Sequence, residues 1–563
     1  MKYKKERQAV YDSILDLYRM AYEAHSEKRE EYERYMRQYL GSYEIDNSTE
    51  MATTVRNITY EVIESEIMPD IPYPKADPES CSTRREENSR LIERLCRAVR
   101  EKLPFEELND LDERYTYIMG GSVWYVEWDC STNCDGAQGD VRVHCISPMD
   151  FIPQPGVFEV EEMQYCFLRF TTSREELIRR YGITERLAAD AECQYGYSDT
   201  PTGCDTVTVV NALYRGSDGK ICKLVFSGDV ILSDVPGLYV RKNALIGEDG
   251  ELTYSDTYTE FLPVDVSSRF GTCNRVKYYV PDVMPVVIRR NTRCTPSLLG
   301  LSDCERVRPQ QQAINKVESR ILKKLLRAAV TPIMPEDATV TLGNSVFGEV
   351  IRMRPGEVLD NYGKIDTTPD ISQDIREADR LYDHAKRVLG ISDALQGTDT
   401  TQAESGYARN LKITRAESRL ETKKRMKYHA YSSLYRLIFL HYLAFSDEPR
   451  NLSYKDSFGE IRDARFDRYA FLEEKDGELY YSDSYLFSVD LNTESDYTRA
   501  ALWERNLKNL EQGTLGDRSK NETLLRYWQA QERAHYPFAG ENVEYFKSLI
   551  ASEKSVSDQQ NQD

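Results

Sequence analysis

Residues 390–445 read GISDALQGTDTTQAESGYARNLKITRAESRLETKKRMKYHAYSSLYRLIFLHYLAF, and this stretch decides the fold. Gly390 is placed to close a preceding helix, since a residue just past a helix end takes the left-handed conformation that glycine adopts most easily. Ile391 to Thr401 is a polar loop, and Thr401-x-x-Glu404 offers a capping box for a new helix. That helix reads on to about Phe445. At 1.5 Å per residue, roughly 40 residues span ~60 Å, a length suited to crossing an assembly more than to filling one compact domain.

Upstream, a helix is expected from about Gln373 to Leu389. Before it lies a β-rich insert in which Ala338 to Leu342 and Val346 to Met353 flank Gly343-Asn344, with a further turn at Pro355-Gly356. Before the insert, Ser302-x-x-Glu305 caps a helix expected to reach about Val330, with Pro309 as a kink or a restart. Ile314, Val317, Ile321, Leu325 and Ala328 form its apolar stripe, and Lys316, Arg320, Lys323, Lys324 and Arg327 cover its other faces. The first 300 or so residues read as a mixed α+β body. A helix over 1–45 carries Val10, Ile14, Leu17 and Met20, a second apolar-periodic stretch spans 58–67, and 82–112 is charged and helix-like. A hairpin joins Ser122 to Asp129 with Val141 to Ile146 across a polar turn at 131–139, and strands are expected at 164–171, 206–214, 222–233, 276–280 and 284–289. A short helix starts at the capping box Ser173-x-x-Glu176 and stops at Gly182. Downstream of Phe445, two or three strands occupy 452–492, helices lie near 498–511, 519–533 and 540–552, and the polar tail from Ser552 is expected to lack structure.

Composition bounds the function. The 563 residues are enough for several domains. The net charge is −20, from 74 Lys+Arg against 94 Asp+Glu, whereas a tight DNA binder gains affinity by placing cations on phosphates. No run approaches the ~20 apolar residues of a membrane span; Leu434 to Phe445 is interrupted by Arg436 and His441. The N-terminus has no apolar stretch after its lysines, so it does not read as a secretory signal, and no membrane partner is expected. Cys130, Cys134, His144 and Cys145 invite a zinc reading, but CxxxC beside an adjacent His-Cys is loose spacing, and reduced thiols are the expectation. Neither a metal nor a cofactor is expected. GxxxxGK[ST], HExxH and GxSxG are absent, and His384, His429 and His441 fall in expected helices, where a structural role is the plainer one. Pro69-Asp70 and Glu474-Lys475 are only distant fragments of a nuclease pattern. The chain therefore reads as a non-enzyme.

The order helix, β insert, helix, polar loop, very long helix resembles the portal family of tailed bacteriophages. Local stretches carry the same likeness: Gly300-Leu-Ser-Asp303 with Pro309-Gln-Gln-Gln-Ala-Ile-Asn-Lys-Val-Glu-Ser319, Gly390-Ile-Ser-Asp-Ala-Leu-Gln-Gly397 with Thr400-Thr-Gln-Ala-Glu-Ser-Gly406, Arg56-Asn-Ile-Thr59 through Pro69-Asp-Ile-Pro-Tyr-Pro-Lys75, and Ser147-Pro-Met-Asp150. Each is weak alone, and their joint order over residues 50–445 carries the resemblance. It implies a portal-like α+β fold divided into an N-terminal wing at 1–301, stem helices at 302–330 and 372–390, a small β-rich clip at 331–371, a tunnel loop at 391–404, a long wing helix at 405–446, further wing strands at 447–496 and a helical crown with tail at 497–563.

The function implied is a portal protein in the virion, assembled in the host cytoplasm: a homo-oligomeric ring, usually dodecameric, at one capsid vertex. Through it double-stranded DNA passes in genome packaging and ejection, and on it the terminase large subunit and head–tail connector proteins dock, with major capsid and scaffolding proteins around it. Gln396, Gly397, Thr398, Asp399, Thr400, Thr401 and Gln402 would form the DNA-facing loop; side chains of this kind hold phosphates without reading sequence. Lys316, Arg320, Lys323, Lys324 and Arg327 are candidate channel-facing cations, with a solvated face or pairing as the plainer reading, and Asn344, Arg352, Arg354 and Glu357 would meet the motor or connector. Lys412, Arg415, Lys423, Lys424 and Arg425 share the ambiguity of the stem cations. Two alternatives remain: another virion structural or connector protein, and a non-viral helical adaptor.

Overall fold

The computed structural model describes residues 2–41, 56–80, 82–134, 137–182, 206–239, 242–246, 252–258, 261–262, 276–294, 297–326, 330–333, 363–366, 369–391, 406–455, 461–475, 478–490, 496–533, 536 and 539–560. The fold is mixed α+β.

Helix α1 (Lys2–Leu40) lays Ile14 and Ala21, with Val10 and Leu17 beside them, on a five-stranded sheet. Met20, expected in that stripe, is 63% exposed. The 100° step per residue carries it past the seam, and Ala21 takes the buried place. Further along, Tyr32, Tyr35 and Tyr39 pack with Tyr117, Ile118 and Met119 against the next sheet. Helix α2 (Ile58–Glu64) is capped by Asn57, whose side chain accepts from Tyr60 N at 3.1 Å. The charged stretch at 82–112 is two helices, α3 (Thr83–Lys102) and α4 (Phe105–Met119), broken at Pro104.

Gly121–Cys134 and Ala137–Ile146 form the expected hairpin, and Val286–Arg290 adds to its first strand. The turn is shorter than expected. Past a register shift after Asp129, pairing resumes at Asn133↔Gln138 and Cys134↔Ala137, so part of 131–139 is strand. The five-stranded antiparallel sheet runs Phe151–Pro153, Tyr165–Ser173, Thr206–Arg215, Ile221–Ser227, Val230–Val235. The single strand expected at 222–233 is thus two, turned at Gly228 with φ 57°. Helix α5 (Arg174–Tyr181) follows its capping signals: Ser173 Oγ accepts from Glu176 N at 3.2 Å, and Gly182 is left-handed.

Helices α6 (Asp303–Leu326) and α7 (Ser372–Leu389) pack side by side. Pro309 neither stops nor restarts α6. The helix ends at Leu326, short of Val330, which opens a strand; Val330–Ile333 pairs antiparallel with Gly363–Asp366 at the far end of the helix pair. Of the expected apolar stripe, Ile314 and Val317 are buried while Leu325 is 49% exposed. Helix α8 (Gly406–Phe445) has 40 residues. Its second half, Tyr431 to Leu443, lies in the main core with Trp124, Ile92, Leu95, Phe466 and Phe471.

Among the described residues five strands, not two or three, follow α8: Arg450–Lys455 with Ile461–Phe466, Leu472–Lys475 with Glu478–Tyr481, and Tyr485–Asp490, which pairs with Tyr73–Pro78. Strands this short, dense in charge, give little alternation to read. Tyr73–Pro78 and Tyr485–Asp490 share one sheet, so the N-terminal and C-terminal parts of the expected wing are one body. Helices α9 (Asp496–Glu511), α10 (Asn521–Arg533) and α11 (Ala539–Gln560) end the chain. Ser552 to Gln560 continue α11, correcting the expectation of an unstructured tail over that stretch. Among the described residues, no helix is long and apolar enough to cross a membrane.

Candidate functional site

The start of α6 is joined to the end of α4 main chain to main chain. Gly120 closes α4 with φ 88°. Its carbonyl accepts from Gly300 N at 2.8 Å and from Asn291 N at 3.0 Å, and Leu301 N donates to Thr292 O at 3.0 Å. A Cβ on Gly300 would lie 2.5 Å from Thr292 O and 2.8 Å from Gly120 O, so only glycine fits. Ser302 then caps α6, accepting from Glu305 N at 3.4 Å, while its hydroxyl donates to Ile118 O. Asp303, fully buried, accepts from Asn291 Nδ2 and from Lys423 Nζ, both at 2.8 Å.

Lys423 also donates to Glu66 at 2.6 Å, so one ammonium on α8 ties the stretch after α2 to the first turn of α6. One turn on, Lys427 meets Glu113 at 2.8 Å and the Met68 carbonyl at 2.9 Å. Arg289 bridges Asp112 and Glu113 of α4, and Asp112 accepts Trp124 Nε1 at 3.0 Å. Another turn along, Tyr431 donates to Asn109 at 2.9 Å. All of these charged groups are buried.

Burial and the neighbouring Asp303 push the Glu66 carboxyl well above the usual range against the pull of Lys423. Burial would raise Glu113 too, but Arg289 and Lys427 outweigh it and hold it below the usual range. With Glu66 protonated, three cations (Lys423, Lys427, Arg289) face three carboxylates (Asp112, Glu113, Asp303), and the buried cluster is neutral. Burial without that balance would be costly.

A second knot lies alongside. Gln311 accepts from Thr59 N at 3.1 Å and donates to Arg56 O at 2.8 Å, and Gln38 donates to Thr59 Oγ1 at 2.9 Å and Cys304 O at 3.0 Å. Gly390, left-handed with φ 83°, turns Ile391 into a cluster with Ile58, Val62, Val307, Ile314 and Leu389. The stretches 56–59, 300–303, 309–319 and 390–391, scattered in sequence, therefore meet at the root of the α6–α7 pair, where the polar loop departs. The arrangement fixes three helices relative to one another.

Of the expected site residues, Gln396, Gly397, Thr398, Asp399, Thr400, Thr401, Gln402, Asn344, Arg352, Arg354, Glu357 and Arg327 lie outside the described residues, as do the capping box at Thr401 and the hairpin at 338–353. Arg320 and Lys324 do not stand free. They reach across to Asp374 of α7 at 2.9 Å and 2.5 Å. Lys316 is exposed, and Lys323 is half-buried. Lys423 is no surface cation but the centre of the buried cluster. Arg425 pairs with Glu421 one turn back at 2.7 Å. Among the described residues no group of three or more His, Cys, Asp or Glu could hold a metal ion. Cys130 is exposed, while His144 lies 3.3 Å from Glu127. His441 is buried with Nδ1 2.8 Å from Leu437 O, and burial pushes it down to about 4.

Lys423, Lys427, Tyr431 and Tyr435 stand at i, i+4, i+8 and i+12, in line with the apolar face of α8. That alignment was the available sign that the two lysines face inward. In comparisons with known proteins, the chain matches no family model and no curated protein.

Proposed function

We propose that this chain is a portal protein of a tailed bacteriophage, a subunit of the ring at one capsid vertex through which double-stranded DNA is packaged and ejected. The observation that carries the reading is the helix pair α6–α7, tipped by paired strands, rooted beside the polar loop and tied to the 40-residue helix α8 through Lys423. The meeting of four separate portal-like stretches at that root supports it further. In this reading α6 and α7 are the stem, the insert is the clip on which terminase and connector proteins dock, and residues 391–404 line the tunnel. Capsid and scaffolding proteins surround the wing. The candidate channel-facing cations narrow to Lys316, Lys323 and Arg327, because Asp374 engages Arg320 and Lys324. The chain acts as a passive conduit, and its acidic balance opposes DNA sticking to the wall.

Native mass spectrometry and negative-stain imaging of the purified chain test this. Closed rings with a central channel are expected. A monomer at every concentration, including after co-expression with its capsid and scaffolding proteins, would overturn the proposal.

A further inference from the structure

The three-stranded sheet ends on one side at the Val286–Arg290 strand. Val126 N donates to Pro285 O at 3.0 Å, and Asn291 N donates to Gly120 O at 3.0 Å. Both contacts continue the register Ile288↔Val123. Bonding positions alternate along an antiparallel ladder. Pro285, Val287, Arg289 and Asn291 therefore face the neighbouring strand, and Val286, Ile288 and Arg290 turn their N–H and C=O outward. Among the described residues, no backbone hydrogen bond meets those outward groups.

This edge opens into a cleft of about 540 Å³, a size typical of binding sites. Met426, Leu437 and Leu440 of α8 give it an apolar wall. Its lining carries a formal charge of +1 in a protein of net charge −20: Arg215, Arg290, Arg293 and Arg436 against Glu159, Glu161 and Asp282. Glu159 takes Arg290 and Arg293, and Asp282 takes Arg215. Arg436, exposed on α8, has no carboxylate partner among the described residues.

We propose that this cleft binds an extended acidic segment of a partner protein as a fourth strand on Val286–Arg290. Open sheet edges recruit strands in this way, main-chain bonds giving affinity and alternate side chains giving choice. The segment's apolar side chains lie on Met426, Leu437 and Leu440, and its carboxylates meet Arg436 and the rim. The inference stands on the open edge and the charge of the cleft, and does not rest on the portal reading.

The probe is a fluorescein-labelled peptide of alternating Glu and Val, titrated by anisotropy with the full chain. Saturable binding is expected, with the Lys/Val counterpart at least about tenfold weaker and affinity falling as salt rises. Backbone N-methylation discriminates the binding mode. Methylating either the Val or the Glu amides should abolish binding, and methylating the other set should be tolerated, because only one set faces the sheet. Arg436→Glu should weaken binding about tenfold. Ile288→Pro should abolish it with the circular dichroism unchanged, since that N–H lies outside the existing ladder. Four results would each overturn the proposal: no saturable binding at millimolar peptide, equal affinity for the Lys peptide, equal tolerance of both methylation patterns, or peptide binding only to chain freed from self-assembly. The last would put a second copy of this chain in the cleft.

Discussion

Replacing Lys423 by methionine keeps the length of the side chain and removes its charge. The ammonium makes two charge-assisted bonds, 2.6 Å to Glu66 and 2.8 Å to Asp303. The two carboxylates do not suffer equally. Glu66 is already pushed toward its protonated form by burial and by Asp303, and losing Lys423 completes that shift. Asp303 is left as a buried anion held by Asn291 at 2.8 Å and more distantly by Arg306 at 3.8 Å. Removing one partner of a buried pair costs about 3–5 kcal/mol, and K423M should fall in that range. Glu66→Gln places a neutral amide where burial and Asp303 already favour the neutral acid, and should cost about 1 kcal/mol or less. The pH dependence follows from the sign of the Glu66 shift. Its pKa is raised in the folded chain, so its contribution is fully present below the unfolded carboxyl value and is lost as pH rises through the folded one. Wild type should therefore lose stability as pH rises from the unfolded carboxyl value to about 8, and E66Q should flatten that slope. Urea unfolding followed by tryptophan fluorescence, to which buried Trp124 contributes with its indole bonded to Asp112 at 3.0 Å, reads all three. If K423M loses under ~1 kcal/mol, or E66Q costs as much as K423M, the neutral-cluster reasoning fails.

Gly300→Ala forces a Cβ to 2.5 Å from Thr292 O; it should cost about 3 kcal/mol or more, seen as a lower urea midpoint and soluble yield. Glu127 shows the opposite pH behaviour. Burial would raise it, but His144 and Lys223 outweigh burial and hold it below the carboxylate range. Its stabilising effect is thus present above the unfolded carboxyl value and lost as pH falls through the folded one. Glu127→Gln should cost about 2–3 kcal/mol at neutral pH by stranding Lys223 and Arg180, with a smaller difference from wild type in acid-unfolding titrations. Replacing residues 396–401 with a Gly/Ser linker should leave ring assembly intact in negative stain but lower packaged or retained DNA, and normal packaging would remove the role given to that loop.

Several helix ends were legible because they rest on local chemistry. Ser173, Gly182 and Gly390 each act at the position their type requires, and α8 ends at Phe445 as its pattern does. The buried cluster was not legible. Asp112 and Glu113 sit in a charged stretch, and Lys423 in Glu421-Thr-Lys-Lys-Arg425, where periodicity assigns charge to solvent. Only partners far away in sequence, such as Arg289 for Asp112 and Glu66 for Lys423, make their burial tolerable. The pairing of Arg320 and Lys324 was hidden for the same reason: Asp374 lies 50 residues from Lys324. Leu325 shows the converse, an apolar residue at the right spacing that is 49% exposed.

The contact between Gly120 and Gly300 sets how mechanical load travels. Side chains yield to a push by changing rotamer, and a joint built from them has slack. Two peptide planes bonded directly at 2.8 Å, with no Cβ between them, have almost none. A torque applied at the strand-capped tip of the α6–α7 pair therefore reaches α4 and the sheet beneath it undamped, and the helix pair behaves as a lever on a rigid mount.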